Sequence, residues 1–296
     1  MAKSVAPRLV ALFVFFYTIV YLYHQTIIPT MTTKPLKVAL FPQEIIWKDK
    51  AANIDTLIKL MPTVHPETDL LILPEMFSTG FVTGDKEEVR QLAERNTGKT
   101  IDLIKELAAK YGMAIAGSFI ADTGGSLYNR AFFIEPSGEE TFADKKHLFT
   151  MAKEDRVFSR GHDRMLVRYR GWNIAMIVCY DIRFPVWCRN KDNEYDLLIA
   201  VANWPQVRVD AWNQLLKARA IENEAYVCGV NCKGTDNYNF LYTGDSAAID
   251  FKGKAINICQ EDSDIIYAVL DHEKLDAFRT KFPAWKDADP FTLTDI

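Results

Sequence analysis

Short apolar segments alternate with amphipathic ones along the chain from about residue 36 onwards. Several of the short segments are continuously apolar, as is typical of strands that are buried on both faces of a sheet. We predict strands at residues 36–41, 70–73, 113–119, 129–135, 165–169, 172–178, 197–201, 225–230, 246–250 and 265–270. Strands that alternate with helical patterns in this way favour an α/β fold.

The amphipathic segments predict three helices. The clearest covers residues 101–111, where apolar side chains recur at helical spacing and Gly112 follows as a C-terminal stop. The other two cover residues 55–61 and 209–224. Because no linker, repeat or low-complexity tract interrupts this part of the chain, we predict one domain over residues 34–296.

The N-terminal segment, residues 1–33, departs from this pattern. Residues 9–23 are apolar apart from Thr18, a length of about 15 residues where a bilayer span takes roughly 20, although residues 26–29 extend it. No cleavage site for a signal peptidase follows. Two interpretations stay open, namely a membrane anchor over residues 9–29 and a mis-assigned start, with the true start at Met31.

The composition narrows the classes of partner. A hydrophobic fraction of 49% and a charged fraction of 25% are typical of a soluble globular protein. The net charge of −4, without a basic run, gives no case for binding nucleic acid. The 5 cysteines form no C-x-x-C pair, which argues against a zinc site or a disulfide framework. Reduced thiols indicate a cytoplasmic protein, with membrane tethering through the N-terminal segment as the alternative.

A carboxylate follows the apolar segment at residues 70–73, where Pro74 and Glu75 end it. Proline stops the hydrogen-bonding ladder, so Glu75 is predicted at the C-terminal end of a strand, where sites in α/β folds are usually built. Partial burial there would raise the pKa of the carboxyl group towards that of a useful general base. Taken alone, such a residue is more often a solvated loop glutamate.

Two lysines, Lys145 and Lys146, lie in a polar loop that continues into His147, Leu148 and Phe149. Lysines in polar loops are usually solvated. The apolar pair that follows indicates that the loop is fixed to the body of the protein, which would let one lysine point inwards and stabilise an oxyanion.

Cys179 ends the predicted strand at residues 172–178 and is followed by a polar, turn-like stretch up to Pro185. This position suits a nucleophile, because the thiol leaves a rigid strand and the next backbone N–H, that of Tyr180, can donate to an oxyanion. Free cysteines are more often inert core residues. We interpret the remaining four cysteines as inert core residues, namely Cys188, Cys228, Cys232 and Cys259.

In order and separation, the runs L-P-E ending at Glu75, K-x-H-L-F from Lys145 and C-Y-D-x-R-F-P from Cys179 resemble the nitrilase, or carbon–nitrogen hydrolase, superfamily. The resemblance covers nearly the whole chain from about residue 36. It implies that Glu75 is the general base, that Lys145 rather than Lys146 is the catalytic lysine, and that Cys179 is the nucleophile. It also implies a supporting glutamate, for which Glu154 is the matching position.

The same resemblance implies a four-layer α-β-β-α sandwich that pairs into an eight-layer homodimer, and a reaction without metal or organic cofactor. The run after Cys179 is similar to the omega-amidase branch, which deaminates 2-oxoglutaramate and 2-oxosuccinamate. We therefore expect an amidase that acts on small amides of this kind. The alternatives are another C–N hydrolase (of N-carbamoyl compounds, nitriles or glutamine-like amides), a catalytically silent protein of the same fold, or a membrane-tethered acyltransferase.

A 2-oxo acid substrate carries a carboxylate, which an arginine or lysine side chain would bind. Arg183, four residues after Cys179, is the candidate. A structural ion pair between Arg183 and a nearby acid such as Asp181 explains the same residue equally well.

Overall fold

The computed structural model describes residues 33–260 and 263–293. The N-terminal segment, predicted to be an anchor or a mis-assigned start, lies outside these ranges. Within them, the helices are all too short or too polar to cross a membrane.

Strands of the described residues form two larger sheets and one hairpin. In chain order they are β1 Leu36–Leu40, β2 Leu70–Ile72, β3 Ala114–Asp122, β4 Leu127–Ile134, β5 Glu140–Asp144, β6 Met165–Tyr169, β7 Trp172–Val178, β8 Leu197–Ala202, β9 Tyr226–Asn231, β10 Lys233–Thr235, β11 Leu241–Thr243, β12 Ala247–Ile249, β13 Ile258–Cys259 and β14 Ile266–Leu270. One sheet has the order β13-β14-β1-β2-β3-β4-β5 and the other β12-β9-β8-β7-β6, while β10 and β11 form the hairpin.

The central strands of both larger sheets are parallel, β1–β2–β3 in one and β7–β8–β9 in the other. Parallel strands need covered faces, and helices provide the cover. The helices of the described residues are α1 Lys50–Leu60, α2 Lys86–Leu92, α3 Lys99–Tyr111, α4 Pro185–Cys188, α5 Val209–Glu222 and α6 His272–Lys281. As predicted, α3 ends at Gly112, which has the left-handed conformation (φ 67°).

Alternate residues of β1 face two different layers. Val38 and Leu40 pack in a cluster with residues of the five-stranded sheet, such as Ile174. Ala39, between them, packs in a second cluster with α1 and α3. On the five-stranded sheet, α5 lies so close to Gly229 that a Cβ atom there would be 2.5 Å from the side chain of a leucine in that helix. The order helix, sheet, sheet, helix confirms the predicted α-β-β-α sandwich.

Each of the ten predicted strands and three predicted helices is present, with ends that differ by a few residues, and β6 and β7 have the predicted bounds. The prediction missed β5, β10, β11, β13, α2, α4 and α6, which are short or polar. A short 3₁₀ turn, Ala284–Asp287, follows α6.

Candidate active site

Glu75, Lys145 and Cys179 all lie just beyond the C-terminal ends of strands. Glu75 follows β2, Lys145 directly follows β5 and Cys179 directly follows β7. Since β2 and β5 belong to one sheet and β7 to the other, the three residues meet where the strand ends of both sheets converge. Lys145 Nζ lies 3.0 Å from Glu75 Oε1, and the charge of the same carboxylate acts on the thiol of Cys179.

Glu75 is fully buried (0% exposed), beyond the partial burial that the sequence indicated. Its Oε1 accepts hydrogen bonds from Asn129 Nδ2 (2.7 Å) and Lys145 Nζ (3.0 Å). Its Oε2 accepts from the backbone N–H of Asn203 at 2.8 Å, and its backbone carbonyl accepts from Asn203 Nδ2 at 2.6 Å. These donors hold the carboxylate in a single orientation beside Cys179.

Lys145 is 1% exposed and lies between two carboxylates. Its Nζ donates to both oxygens of Glu154 at 3.0 Å, in addition to Glu75. Burial alone would lower the pKa of Lys145, but the negative charges of Glu154 and Glu75 outweigh burial and raise it. Lys145 is therefore an ammonium ion, which is the state that an oxyanion-stabilising cation requires.

Glu154 is brought into the site as the sequence predicted, and it is fully buried. Its Oε2 also accepts from the backbone N–H of Phe149 at 2.5 Å. Burial raises the pKa of Glu154 despite the opposing attraction of Lys145, and the like charge of Glu75 raises it further. Two carboxylates thus share one ammonium ion.

Asn129 connects the two carboxylates, and the sequence analysis gave it no role. Its Nδ2 lies 2.7 Å from Glu75 Oε1 and 3.4 Å from Glu154 Oε1. Ser118 Oγ donates to Asn129 Oδ1 at 3.0 Å and so directs the amide N–H groups towards the acids. An asparagine within a largely apolar strand, β4, was the signal available in the sequence, because a polar side chain buried there needs hydrogen-bond partners.

Cys179 is the point where β7 turns into a short 3₁₀ segment. Its φ of 47° is left-handed, which is uncommon for a residue other than glycine and typical of strained functional turns. Burial and the charge of Glu75 raise the pKa of the thiol well above its usual value, against the opposing charge of Lys145. The resting thiol therefore keeps its proton, and an attack by sulfur needs a base.

Asp181 links the lysine loop to the turn that carries Cys179. Its Oδ1 accepts from both the backbone N–H and the ring Nδ1 of His147, each at 2.8 Å. Its Oδ2 accepts from the backbone N–H of Val178 at 3.1 Å. The alternative ion pair between Arg183 and Asp181 is absent from the ion pairs of the described residues. Arg183 instead lies with its guanidinium 4.7 Å from the centre of the Trp204 ring.

A cavity of about 350 Å³ opens above Cys179 and Lys145. Its walls are rich in aromatic side chains and include two arginines, Arg183 and Arg208. Asp236 comes from the β10–β11 hairpin, which the sequence analysis missed. The remaining lining residues are Phe81, Thr83, Phe149, Met151, Ala152, Tyr180, Asn203, Trp204, Pro205, Tyr238, Phe240 and Tyr242. The cavity can therefore bring a small organic ligand to the sulfur atom.

Residues 37–280 match the profile of the carbon–nitrogen hydrolase family. The chain is 40% identical over 259 residues to omega-amidase YafV of Escherichia coli, which covers 87% of this chain and 98% of that protein. It is 31% identical over 222 residues to the 2-oxoglutaramate amidase of Bacillus subtilis, covering 74% and 84% of the two chains. Among solved structures, a CN-hydrolase superfamily protein of Xanthomonas campestris with an arsenic adduct in its active site superposes with a TM-score of 0.83. The two are 37% identical, and the match covers 88% of this chain and 99% of that one.

Proposed function

The chain belongs to the carbon–nitrogen hydrolase family, and from this premise we propose that it is an omega-amidase. It hydrolyses the terminal amide of ω-amido 2-oxo acids, 2-oxoglutaramate and 2-oxosuccinamate, to the dicarboxylic acid and ammonia. The observation that carries the proposal is the buried contact of Glu75 with Lys145, beside the thiol of Cys179 and at the floor of a ligand-sized cavity.

In the first half of the reaction, Glu75 accepts the proton of Cys179 and the sulfur attacks the amide carbon. The raised thiol pKa makes this base necessary. The ammonium group of Lys145 and the backbone N–H of Tyr180 stabilise the oxyanion of the tetrahedral intermediate. One such donor is typically worth about 3 kcal/mol, or roughly a hundredfold in rate.

The intermediate then collapses. Protonated Glu75 gives its proton to the departing nitrogen, the C–N bond breaks, and ammonia leaves a thioester on Cys179. In the second half, Glu75 takes a proton from water, whose oxygen attacks the thioester carbon. The C–S bond breaks, the sulfur regains the proton from Glu75, and the acid is released.

Glu154 and Asn129 act as positioning residues in this scheme. Glu154 contacts Lys145 Nζ through both oxygens, so it holds the ammonium group beside Glu75. Asn129 donates to Glu75 and, at longer distance, to Glu154. Both therefore fix the distance between base and cation.

Ammonia release tests the proposal. The purified protein is assayed with 2-oxoglutaramate, 2-oxosuccinamate, glutamine, asparagine, an N-carbamoyl amino acid and a simple nitrile. We expect turnover of the two 2-oxo amides, none with Cys179→Ala, and unchanged rates with Cys259→Ala, whose cysteine is exposed. Turnover confined to another substrate would replace the omega-amidase assignment. Full activity of Cys179→Ala would overturn the assignment of Cys179 as the nucleophile.

We further propose that the enzyme is a cytoplasmic homodimer. The free thiols of the described residues, four of them buried, fit a reducing compartment. Apolar side chains near the C-terminus, with Phe282 58% exposed, offer surface that a second subunit would cover. Analytical ultracentrifugation of the full chain tests the dimer. Cell fractionation tests the location, since recovery in the membrane fraction would favour an anchor over residues 9–29.

A further inference from the structure

Arg208 reaches the cavity from a fixed stretch of backbone. It ends the 3₁₀ turn Gln206–Arg208, and its carbonyl oxygen accepts a hydrogen bond from Trp204 Nε1 at 2.8 Å. Its guanidinium lies 5.5 Å from the centre of the Phe149 ring. Stacking on an aromatic face limits the motion of a guanidinium and leaves its N–H edge available for a ligand.

Arg183 reaches the same cavity from the turn that carries Cys179, and the same tryptophan positions it. Its guanidinium lies 4.7 Å from the centre of the Trp204 ring. Trp204 is 3% exposed, so it is a rigid support. One indole thus fixes the main chain of Arg208 through its N–H and the side chain of Arg183 through its face.

Neither of these two guanidinium groups is paired with a carboxylate: among the ion pairs of residues 33–260 and 263–293, none includes Arg183 or Arg208. Glu75 and Glu154 contact Lys145 instead. The oxygens of Asp236, the acid in the lining, accept from the hydroxyl of Tyr242 and from two backbone N–H groups of its own hairpin. Two guanidinium groups on aromatic supports, without a paired carboxylate, suit a bound anion.

We propose that Arg208 and Arg183 form a clamp for the carboxylate of the substrate, and that Arg208 determines specificity for 2-oxo acids. This inference rests on the proposed omega-amidase function. The planar fork of one guanidinium matches the two carboxylate oxygens, and the second guanidinium donates to the adjacent 2-oxo oxygen. Arg208 is assigned the carboxylate because it is half-buried, whereas Arg183 is exposed. A desolvated charge pair contributes more to binding than an exposed one.

The test measures binding without turnover. Isothermal titration of Cys179→Ala with 2-oxoglutaramate gives the reference Kd. When Arg208→Leu is introduced into the Cys179→Ala protein, we expect the Kd to rise roughly 10- to 100-fold, because a hydrogen-bonded charge pair is lost. Arg183→Leu is expected to raise it about 3- to 10-fold. Arg208→Lys, which keeps the charge but not the fork, is expected to lie between Arg208→Leu and the reference. Arg168→Leu, an exposed arginine on β6, is the matched control and should leave the Kd unchanged.

A neutral analogue of the substrate shows whether the arginines act on the carboxylate. 4-Oxopentanamide has a methyl group where 2-oxoglutaramate has its carboxylate, so it should bind the reference protein at least tenfold more weakly and should not respond to Arg208→Leu. Equal binding of the two amides, or equal Kd values for Arg208→Leu and Arg168→Leu, would overturn the clamp and leave the amidase assignment standing. If the reference protein bound neither amide, the proposed substrate itself would fail.

Discussion

Two clusters of charged side chains in the molecule differ in the ratio of carboxylates to basic groups. The active-site cluster consists of Glu75, Lys145 and Glu154, two carboxylates around one ammonium ion at 3.0 Å. The C-terminal cluster consists of Asp196, Arg279 and His272, and the exposed Asp276 lies 3.0 Å from His272 Nδ1, so two carboxylates face two basic side chains. Arg279 Nη1 lies 2.8 Å and His272 Nε2 3.4 Å from Asp196. The first cluster adjoins Cys179 and a cavity, whereas the second attaches α6 to the five-stranded sheet.

The protonation of the two clusters follows from this difference. Burial raises the pKa of Glu154, and the single ammonium of Lys145 does not cancel the shift. Burial acts in the same direction on Asp196, but hydrogen bonds from His272 and Asn173 and the charge of Arg279 outweigh it, so the pKa of Asp196 is lowered. A surplus of carboxylate gives a site that can accept a proton, whereas a balanced set only holds structure. In charge balance and access, the two clusters thus differ as we expect a catalytic set and a structural set to differ.

The largest effect is expected when the cation of the active-site cluster, Lys145, is removed, and the effect should be a loss of activity. We expect Lys145→Ala to lower kcat/KM by about a thousandfold, or about 4 kcal/mol, because the oxyanion loses its cation and Glu75 its partner. The matched variant Lys146→Ala should stay within about threefold of wild type, since Lys146 is only half-buried and its Nζ lies 5.5 Å from the Trp187 ring. Steady-state ammonia assays with circular dichroism for folding test this. The reverse ranking would mean that the wrong lysine was assigned.

Removal of the cation from the C-terminal cluster should act on stability instead. Arg279 donates to Asp196 and to the backbone carbonyls of Tyr195 and Glu224, each at 2.8 Å. We expect Arg279→Met to lower the free energy of unfolding by about 3 kcal/mol, because a buried carboxylate loses its main partner. Activity per folded molecule should not change. Urea unfolding and active-site titration measure the two quantities, and a lower kcat in fully folded protein would show that the clusters are coupled.

These two clusters also show how far the sequence predicts the protein. Glu75, Lys145 and Cys179 were predicted because each lies in a recognisable run, and Glu154 because the resemblance implied a supporting glutamate after the lysine run. The structure brings all four together. The C-terminal cluster was not predicted. Its helix α6 is polar, with only Leu275 and Arg279 buried, so it lacks the apolar periodicity that marks α3.

The cavity walls were missed for a related reason. The strands β10 and β11 have three residues each and lie next to polar turn residues, so no alternation of apolar and polar positions marks them. Arg208 lies 29 positions after Cys179, and only the fold brings the two to one cavity. Sequence runs thus predicted which residues lie together at the floor of the cavity, while the groups that would contact the rest of a substrate depend on tertiary structure.

A smaller change sharpens the comparison of the two acids. Glu154→Gln keeps the shape of the side chain but removes one of the two negative charges beside Lys145. Its amide NH2 group would face the ammonium group of Lys145, which it cannot bind. We expect kcat/KM to fall by about 10- to 100-fold, because Lys145 and Glu75 lose their fixed spacing. Asp196→Asn is the matched variant in the other cluster and should lower stability without changing kcat. A pH profile of kcat should differ from wild type for Glu154→Gln alone. Equal kinetics of the two variants would contradict a positioning role for Glu154.

The smallest effect is a pH-dependent contribution of His272 to stability. The hydrogen bond to Asp196 raises the pKa of His272, burial opposes it, and the charges of Asp196 and Asp276 add to the increase. The neighbouring Arg279 binds the same carboxylate. A raised pKa means that the folded state binds the proton more tightly. The stabilisation is therefore complete below the ordinary histidine pKa of about 6.5 and is lost as the pH rises through the folded value. We expect His272→Gln to lower the free energy of unfolding by about 0.5 kcal/mol more at pH 5.5 than at pH 9 in urea denaturation. An equal loss at both pH values would show that His272 stabilises α6 by packing against Trp172, whose ring centre lies 5.0 Å away, and not by charge.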